Sequence, residues 1–312
     1  MRIVFMGTSA FAVPILEKLL DTSYEIAGVV TQPDRPKGRG NKLAASAIKE
    51  KAVSCGLPIF QPVKIKTPEA IEYIGKWRPD LIVVVSYGQI IPAAILQMPA
   101  FGCINVHASF LPKYRGAAPI QRCLMNGEKK SGVTTMFMDE GLDTGDILLQ
   151  QEVEIGNETT FGQLHDQLAA VGAELLITTI EKLKTGTLVR RKQDEAASTY
   201  AAMIKKEDEL INWQDKAKKI FDQIRALNPQ PGASTMLSGE TLKIFKSRII
   251  KEPGDGVPGE ITAVLPSGFI VKTGDGALEI LEVQKAGKKR IDAGEFLRGS
   301  SLKAGIMLGK QG

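Results

Sequence analysis

The first half of the chain alternates short apolar segments with segments of helical periodicity, and this alternation restricts the fold more than any other feature. The apolar segments lie at residues 2–7, 25–30, 57–60, 81–86, 102–108, 132–138 and 146–155. Helical patterns separate several of them, and a long helical pattern covers residues 160–183. Strands that lack polar alternation and are spaced by helices are typical of a mostly parallel sheet covered on both faces. We therefore predict a Rossmann-like α/β domain over residues 1–188.

The pattern changes after residue 188. Residues 189–206 are polar and mixed in charge with little periodicity, which predicts a linker. An amphipathic helical pattern follows at 215–227, and five short β patterns punctuated by Gly and Pro come after it. Five such strands predict a small OB-like β-barrel, so we assign a second domain to residues 207–312.

The composition is that of an ordinary globular protein, with 43% hydrophobic and 24% charged residues in 312. No apolar run approaches the ~18 residues of a membrane helix, and the N-terminal segment enters a strand pattern directly. We therefore expect no membrane association and no signal peptide. Three widely spaced cysteines form neither a disulfide framework nor a metal motif. This predicts a cytoplasmic location, buried thiols and no protein-built metal site.

The net charge of +5 excludes a uniformly basic coat for nucleic acid but allows local basic patches. Two patches stand out, "RPKGRGNK" at 35–42 and "KAGKKR" at 285–290. By composition alone, solvated surface loops are the more common interpretation of both.

Ligands of open α/β sheets bind beyond the carboxyl ends of the strands, so the residues after each apolar run are the candidates for a site. We expect five loops to converge on one cleft: 7–12, 31–40, 86–91, 105–112 and 138–146. The first loop, "GTSAFA", lacks the glycine pattern of a dinucleotide site, and "PKGRGNKL" lacks the ending of a phosphate-binding loop. A nicotinamide cofactor and a nucleoside triphosphate are therefore disfavoured.

Asn105, His107 and Asp143 are the candidate catalytic residues. His107 is one of two histidines in the chain, and Asn105 is placed on the same face of the same predicted strand. An Asn amide can donate to a carbonyl oxygen, a His can move a proton near neutral pH, and Asp143 could orient the imidazole. These groups suit attack on a carbonyl. By spacing alone, a core histidine and a turn aspartate are the more common alternatives. His165, inside the long helix, is assigned to packing.

Two long segments carry a family resemblance. "NVHASFLPKYRGAAPIQ" and "GVTTMFMDEGLDTGDIL" resemble the 10-formyltetrahydrofolate-dependent formyltransferases, which share an Asn-x-His segment, Ser-Leu-Leu-Pro and a downstream Asp. The resemblance covers nearly the whole chain, and "TQPDRPKGRGNKL" and "NPQPGA" narrow it to members that act on charged initiator tRNA. Phe110 and Ala108 stand where the family usually has Leu and Gly, which leaves a folate contact plausible and alters the pocket shape.

The resemblance implies transfer of the formyl group of 10-formyltetrahydrofolate to the α-amine of methionyl initiator tRNA, without a metal. Asn105 would hydrogen-bond the formyl oxygen, and His107 would act at the same oxygen or in proton transfer. Asp143 would set the state of the imidazole and help to relay the proton.

The resemblance also implies the binding residues. The folate-contacting turn would comprise Ser109, Phe110, Leu111 and Pro112, with the pterin against the backbone of 86–91 and 138–142. The acceptor end of the tRNA would be contacted by Lys37, Arg39 and Lys42. The C-terminal barrel and its 285–290 patch would hold the tRNA body, and the protein is expected to be a monomer.

Two alternatives stay open at this point. In the first, the folate chemistry is the same and the acceptor is glycinamide ribonucleotide, an amino sugar or water; the length of the chain and the loop around Arg39 disfavour it. In the second, the chain is a non-catalytic RNA-binding protein with a degenerate α/β domain. The intact set of Asn105, His107 and Asp143 counts against this second alternative.

Overall fold

The computed structural model describes residues 1–37, 42–250 and 254–309 of the chain. These residues form two compact units. The first unit comprises Met1–Gly116, Lys130–Glu154 and His165–Ala201. The second comprises Ala117–Lys129, Ile155–Leu164 and the chain from Ala202 onward.

The first unit is built on a seven-stranded sheet in the order β5-β2-β1-β6-β7-β8-β9. Strands β1, β2, β5, β6 and β7 are parallel, whereas β8 and β9 are antiparallel to their neighbours. Strands β3 and β4 pair with each other in a separate two-stranded antiparallel sheet. The strands of this unit are β1 (Arg2–Gly7), β2 (Glu25–Val30), β3 (Arg35–Lys37), β4 (Lys42–Ala44), β5 (Ile59–Phe60), β6 (Leu81–Val85), β7 (Cys103–His107), β8 (Lys130–Phe137) and β9 (Ile147–Glu154).

Helices cover both faces of this sheet. They are α1 (Ala12–Leu20), α2 (Ala47–Ser54), α3 (Pro68–Lys76), α4 (Ala93–Leu96) and α6 (Phe161–Lys184), while α5 (Pro119–Met125) belongs to the second unit. Gly172 of α6 lies against Val106 of β7 and Ile15 of α1, which places α1 and α6 on one face. Ile74 of α3 and Ile95 of α4 share a buried cluster with alternate residues of β1 and β6, which places these helices on the other face.

Local sequence signals explain where helices begin. Thr67 precedes α3, and its hydroxyl accepts a hydrogen bond from the Ala70 N–H at 3.3 Å. Pro68 occupies the first turn, where a missing N–H has no cost, and Glu69 and Lys76 complement the two ends of the helix dipole. Ser46 caps α2 in the same way through the Lys49 N–H.

The second unit contains an antiparallel sheet in the order β10-β11-β14-β13-β12, with β15 paired to β14. Its strands are β10 (Ala233–Leu237), β11 (Glu240–Ile250), β12 (Ile261–Leu265), β13 (Gly268–Lys272), β14 (Ala277–Lys285) and β15 (Ile291–Asp292). The helices described after α6 are α7 (Lys206–Glu209), α8 (Ala217–Ala226) and α9 (Ala293–Arg298).

An extended segment at residues 305–309 closes this sheet. Leu308 donates to the Gly259 carbonyl oxygen beside β12 at 2.8 Å, and Gly309 donates to the Met236 carbonyl oxygen of β10 at 2.9 Å. The segment therefore pairs with both edge strands and removes the open edges of the sheet. Ile220 and Ile224 of α8 share a buried core with Phe269 of β13.

Helix α5 packs against α8 within the second unit. Met125 of α5 lies against the core of the barrel. Arg122 of α5 forms two hydrogen bonds of 2.7 Å with the carboxylate of Asp208. Apolar contact and a paired charge thus both hold α5 to this unit.

The predicted fold class is confirmed: a mostly parallel sheet in the N-terminal part of the chain and a separate antiparallel sheet in the C-terminal part. The predicted domain limits of 1–188, 189–206 and 207–312 stay predictions, although the structure groups residues 189–201 with the first unit. Cys103 and Cys123 are buried as predicted, but Cys55 is exposed, so the prediction was wrong for this thiol. No helix in the described ranges is long and apolar enough to cross a membrane.

Candidate active site

Asn105 and His107 lie on one face of β7, a strand between β6 and β8. The two-residue spacing directs both side chains to the face that carries α3 and α4, and Ile104 and Val106 face the other way. Both side chains are almost fully buried, with exposed fractions of 9% for Asn105 and 6% for His107. A buried amide and a buried imidazole are costly unless their polar atoms have partners, so the partners define what the site can do.

Asp143 supplies partners to both. Its Oδ1 accepts a hydrogen bond from the Asn105 side-chain amide at 3.3 Å, and its Oδ2 lies 3.7 Å from His107 Nδ1. Oδ2 also accepts a hydrogen bond from the Gly116 N–H at 2.7 Å. The backbone of Asp143 has a φ of 55°, a left-handed conformation that is unfavourable for a residue with a side chain. The structure thus brings the three predicted residues together.

The other ring nitrogen of His107 fixes the tautomer. Nε2 lies 3.0 Å from the carbonyl oxygen of Tyr114. Because a carbonyl oxygen can only accept, Nε2 carries the proton in the neutral ring and Nδ1 is left as the basic nitrogen. A proton taken up at Nδ1 would lie beside the Asp143 carboxylate, which would stabilise the resulting cation.

The route of Asp143 to this site differs from the one expected. Strand β8 runs antiparallel to β7, and Phe137 at its end pairs with Ile104 near the start of β7. The 138–146 loop therefore leaves the sheet beside the amino-terminal end of β7. It must then turn back toward the carboxyl end of β7 to bring Asp143 to Asn105. The rule that sites lie beyond the carboxyl ends of parallel strands was the wrong reason for including this loop.

The loops after β1, β2 and β6 contact one another at the point where the strand order reverses. Thr8 Oγ1 and Gln32 Nε2 both donate to the Tyr87 carbonyl oxygen, at 2.9 and 3.2 Å. The Tyr87 hydroxyl is buried and has no partner among the described residues, and burial raises the pKa of this phenol. Met138 packs against the cluster that contains Tyr87, which links these loops to the 138–146 loop.

The predicted folate turn is held by internal contacts. The Thr134 hydroxyl donates to the Ser109 carbonyl oxygen at 2.8 Å and accepts from the Leu111 N–H at 3.1 Å. Ser109 Oγ donates to the Lys113 carbonyl oxygen, and the Leu111 side chain is buried with Met136 and Ile147.

The side chains of Phe110 and Pro112 are the accessible part of this turn, and 42% of Phe110 is exposed. The assignment of Ser109, Phe110, Leu111 and Pro112 to folate stays a prediction. The Ser109 hydroxyl and the Leu111 side chain both help to hold the turn.

Of the predicted tRNA contacts, Arg39 lies outside the described residues. The backbones of Lys37 and Lys42 pair with each other at the ends of β3 and β4. The described ends of the basic segment at 35–42 are therefore two paired antiparallel strands.

Sequence inspection missed several residues that surround the three candidates. Gln150 Nε2 donates to the Leu111 carbonyl oxygen at 2.8 Å and to Thr134 Oγ1 at 3.0 Å. Gln193 Nε2 donates to the Asp143 and Gly145 carbonyl oxygens. Arg115, which is fully buried, binds Gln193 and Glu195. No local signal in the sequence marked the two glutamines.

The mostly parallel α/β sheet places an amide, an imidazole and a carboxylate together beside the turn at 109–112, an arrangement suited to attack on a carbonyl group. Residues 1–180 match the formyl transferase family, and residues 203–301 match the C-terminal domain of formyl transferases. The chain belongs to the formyl transferase family.

Full-length relatives narrow the similarity further. The chain is 53% identical over 312 residues to the methionyl-tRNA formyltransferase of Syntrophomonas wolfei, with 100% of this chain and 99% of the relative covered. It is 50% identical over 311 residues to the methionyl-tRNA formyltransferase of Alkaliphilus metalliredigens, again with 100% and 99% covered.

Solved structures with the same fold are more distant in sequence. HypX from Aquifex aeolicus in complex with tetrahydrofolic acid matches with a TM-score of 0.67 at 19% identity, and the alignment covers 98% of this chain and 50% of that one. The sugar 3N-formyl transferase WlaRD matches with a TM-score of 0.65 at 24% identity, covering 93% and 99%. At these identities the likeness establishes the fold alone.

Proposed function

We propose that this chain transfers the formyl group of 10-formyltetrahydrofolate to the α-amino group of methionine esterified to initiator tRNA. The observation that carries this proposal is the 53% identity, over all 312 residues, to a relative named methionyl-tRNA formyltransferase. The product, N-formylmethionyl-tRNA, would serve translation initiation.

Asn105 is proposed to stabilise the charge that develops on the formyl oxygen. Its amide carries two N–H donors, and one of them is used by Asp143 Oδ1. That bond orients the amide group, so the second N–H is held in place for a substrate oxygen. A donor fixed before the reaction stabilises developing negative charge without further reorganisation.

His107 and Asp143 are proposed to handle the proton that the attacking amine must lose. Nδ1 of His107 is the free basic nitrogen, because the Tyr114 carbonyl oxygen holds the proton on Nε2. A proton received at Nδ1 lies next to Asp143 Oδ2, 3.7 Å away. From there it can pass to the nitrogen that leaves the formyl carbon, so one imidazole serves as base and then as acid.

The remaining assignments concern binding. Pro112 and the half-exposed Phe110 ring are proposed to contact the folate, and Ser109 and Leu111 to shape that turn. The switch in strand order between β1 and β6, bridged by Thr8 and Tyr87, supports a pterin beside residues 86–91. Lys37, Arg39 and Lys42 are proposed to contact the acceptor end of the tRNA.

The test is formylation by the purified protein with 10-formyltetrahydrofolate and methionyl initiator tRNA. We expect acid-precipitable formylmethionyl-tRNA from this acceptor, and none from an amino sugar nucleotide or from glycinamide ribonucleotide. Formylation of one of the small acceptors in place of the tRNA would overturn the proposal. We further propose that the protein acts as a cytoplasmic monomer without a metal; light scattering that gives twice the chain mass of 33.8 kDa would contradict the monomer.

A further inference from the structure

Residues 190–201, which we name the strap, lie against the two segments that hold Asp143. The Arg191 N–H and carbonyl oxygen pair with Ile147, at 2.9 and 2.8 Å, just after the Asp143 loop. The Arg115 N–H donates to the Thr199 carbonyl oxygen at 2.8 Å, and the Ala201 N–H donates to the Arg115 carbonyl oxygen at 2.6 Å. The strap therefore joins the start of β9 to the turn at residues 115–116.

Gln193 is the residue of the strap that reaches the Asp143 loop through its side chain. Its Nε2 donates to the Asp143 carbonyl oxygen at 2.7 Å and to the Gly145 carbonyl oxygen at 2.8 Å. These two bonds use both N–H groups of the amide. They fasten the backbone on either side of Thr144, next to the residue with the left-handed φ of 55°.

Arg115 fixes the orientation of that amide. Its Nε and Nη2 donate to Gln193 Oε1 at 3.1 and 2.9 Å, so the oxygen faces Arg115 and Nε2 must face the Asp143 loop. The guanidinium also holds both carboxylate oxygens of Glu195, at 2.9 and 2.8 Å. Glu195 raises the pKa of Arg115, and Tyr200 adds a smaller effect in the same direction. Burial opposes both effects but does not cancel them, so the Arg115 guanidinium stays positively charged.

The residue after Arg115 holds the carboxylate of Asp143. Gly116 follows Arg115, and its N–H donates to Asp143 Oδ2 at 2.7 Å. Asp143 is thus held at its backbone by Gln193 and at its carboxylate by Gly116. The backbone anchor is backed by Arg115, which is fully buried and holds Gln193.

We infer that Gln193 is a positioning residue for the transfer reaction: through its two bonds to the Asp143 loop it sets the position of the Asp143 carboxylate against His107 and Asn105. The inference rests on the proposed roles of these three residues. It assigns a function to a segment that its composition marks only as a linker.

The test is the Gln193→Glu variant, which keeps the shape and the acceptor for Arg115 but cannot donate to the two carbonyl oxygens. We expect kcat for formylation to fall by about 10- to 100-fold, with KM for both substrates within about twofold. Gln151→Glu makes the same change at an exposed position of β9 and should retain the wild-type kcat. If Gln193→Glu does not fold, Gln193→Met provides a neutral side chain of similar length that also lacks the donor.

A double-mutant cycle separates positioning from general destabilisation. In an Asp143→Asn background, Gln193→Glu should reduce kcat by less than about twofold more, because the group on which it acts is already impaired. An equal loss in both backgrounds would overturn the inference, and so would a wild-type kcat for Gln193→Glu.

Histidine NMR tests the inference independently of activity. The chain has two histidines, and His165 lies beside Phe11 and serves as an internal reference. The ring signals of His107 should shift in Gln193→Glu while those of His165 do not. Unshifted His107 signals would overturn the inference, whereas a wild-type protein that makes no formylmethionyl-tRNA would overturn the proposed function.

Discussion

Nδ1 of His107 lies 3.7 Å from Oδ2 of Asp143, while Nε2 on the other side of the ring lies 3.0 Å from the Tyr114 carbonyl oxygen. The imidazole is therefore placed between a carboxylate and a carbonyl, both of which can only accept hydrogen bonds. Nε2 donates to the Tyr114 carbonyl oxygen and Nδ1 faces the Asp143 carboxylate, so the orientation of the ring is fixed from both sides.

Asp143→Asn should abolish most of the activity. The amide keeps the size of the carboxylate but removes the negative charge beside His107, so we expect kcat to fall by about 10²- to 10⁴-fold. Single-turnover formylation measures the loss, and filter binding checks that the tRNA is still bound. Glu154→Gln, which removes an exposed carboxylate from β9, is the matched control. Wild-type turnover in Asp143→Asn would remove this residue from the mechanism.

Arg39→Ala should impair use of the tRNA and leave folate affinity unchanged. Its removal takes one cation from the basic segment at 35–42, so the salt dependence of tRNA binding should also become shallower by about one phosphate contact. Steady-state KM values for both substrates and a salt titration measure these effects. Lys64→Ala, at an exposed lysine outside the segment, is the control. A parallel loss of folate affinity would refute the assignment.

The three thiols should differ sharply in reactivity. Cys55 is exposed, whereas Cys103 and Cys123 are buried, and burial raises the pKa of the Cys103 thiol to about 12. Since the thiolate is the reacting form, alkylation of the native protein at pH 8 should modify Cys55 and spare the other two. Mass spectrometry of the alkylated protein measures this, with the denatured protein as the control for complete reaction. Rapid modification of native Cys103 would contradict the burial.

Protonation of Asp208 in acid should make the protein less stable. Its hydrogen bonds to Arg122 lower the pKa of Asp208 below the ordinary value of 3.8. The carboxylate therefore contributes stability above about pH 3.8, and this contribution is lost as the pH falls through the lower pKa of the folded state. Asp208→Asn should cost about 1–2 kcal/mol at pH 7, and the difference from wild type should shrink toward pH 3.

Urea unfolding at several pH values measures this effect. Asp275→Asn is the matched control, because its carboxylate faces Lys216 at 3.7 Å in an exposed pair. We expect the control to change the free energy of unfolding by less than about 0.5 kcal/mol. A pH-independent cost for Asp208→Asn would show that the cost does not arise from its charge.

Replacement of two glycines by alanine should have opposite effects on the stability of the protein. A Cβ at Gly28 in β2 would lie 2.4 Å from the Trp77 ring, so Gly28→Ala should destabilise the protein by about 1–3 kcal/mol. A Cβ at Gly75 in α3 would meet only the end of Met98 at 3.7 Å, so Gly75→Ala should stabilise it by about 0.5–1 kcal/mol. Thermal unfolding measures both, and equal effects would contradict the packing of Trp77.

The strands and long helices could be predicted from the sequence because their signals are local. The apolar run at 132–138 predicts a strand, and β8 spans Lys130–Phe137. Its direction could not be predicted, since antiparallel pairing with β7 depends on how the chain returns to the sheet and not on which residues the strand contains. The part that residues 305–309 play in closing the C-terminal sheet was missed for a related reason, because their apolar run, Ile306–Leu308, is only three residues long.

Part of the candidate site could also be predicted from the sequence. The two-residue spacing of Asn105 and His107 predicts their shared face, and Asp143 was a candidate from its place in the loop after the following strand. Gln193 could not be found, because its partner Asp143 is 50 residues away and the bond ends on a backbone oxygen that any residue would provide. Polar contacts between distant segments leave no periodic trace in the sequence, and here they lie in a segment whose charge and polarity resemble a linker.

The second unit is assembled from segments that are far apart in the chain, and this has a consequence for biosynthesis. Helix α5 emerges from the ribosome well before α8, the helix against which it packs, and before the sheet that receives Met125. Its apolar side therefore has no native partner while the intervening chain is made, and transiently exposed apolar surface favours aggregation and chaperone binding. Codon changes that slow translation between residues 130 and 216 would lengthen that interval, so the yield of active protein should depend on the speed of synthesis in this stretch.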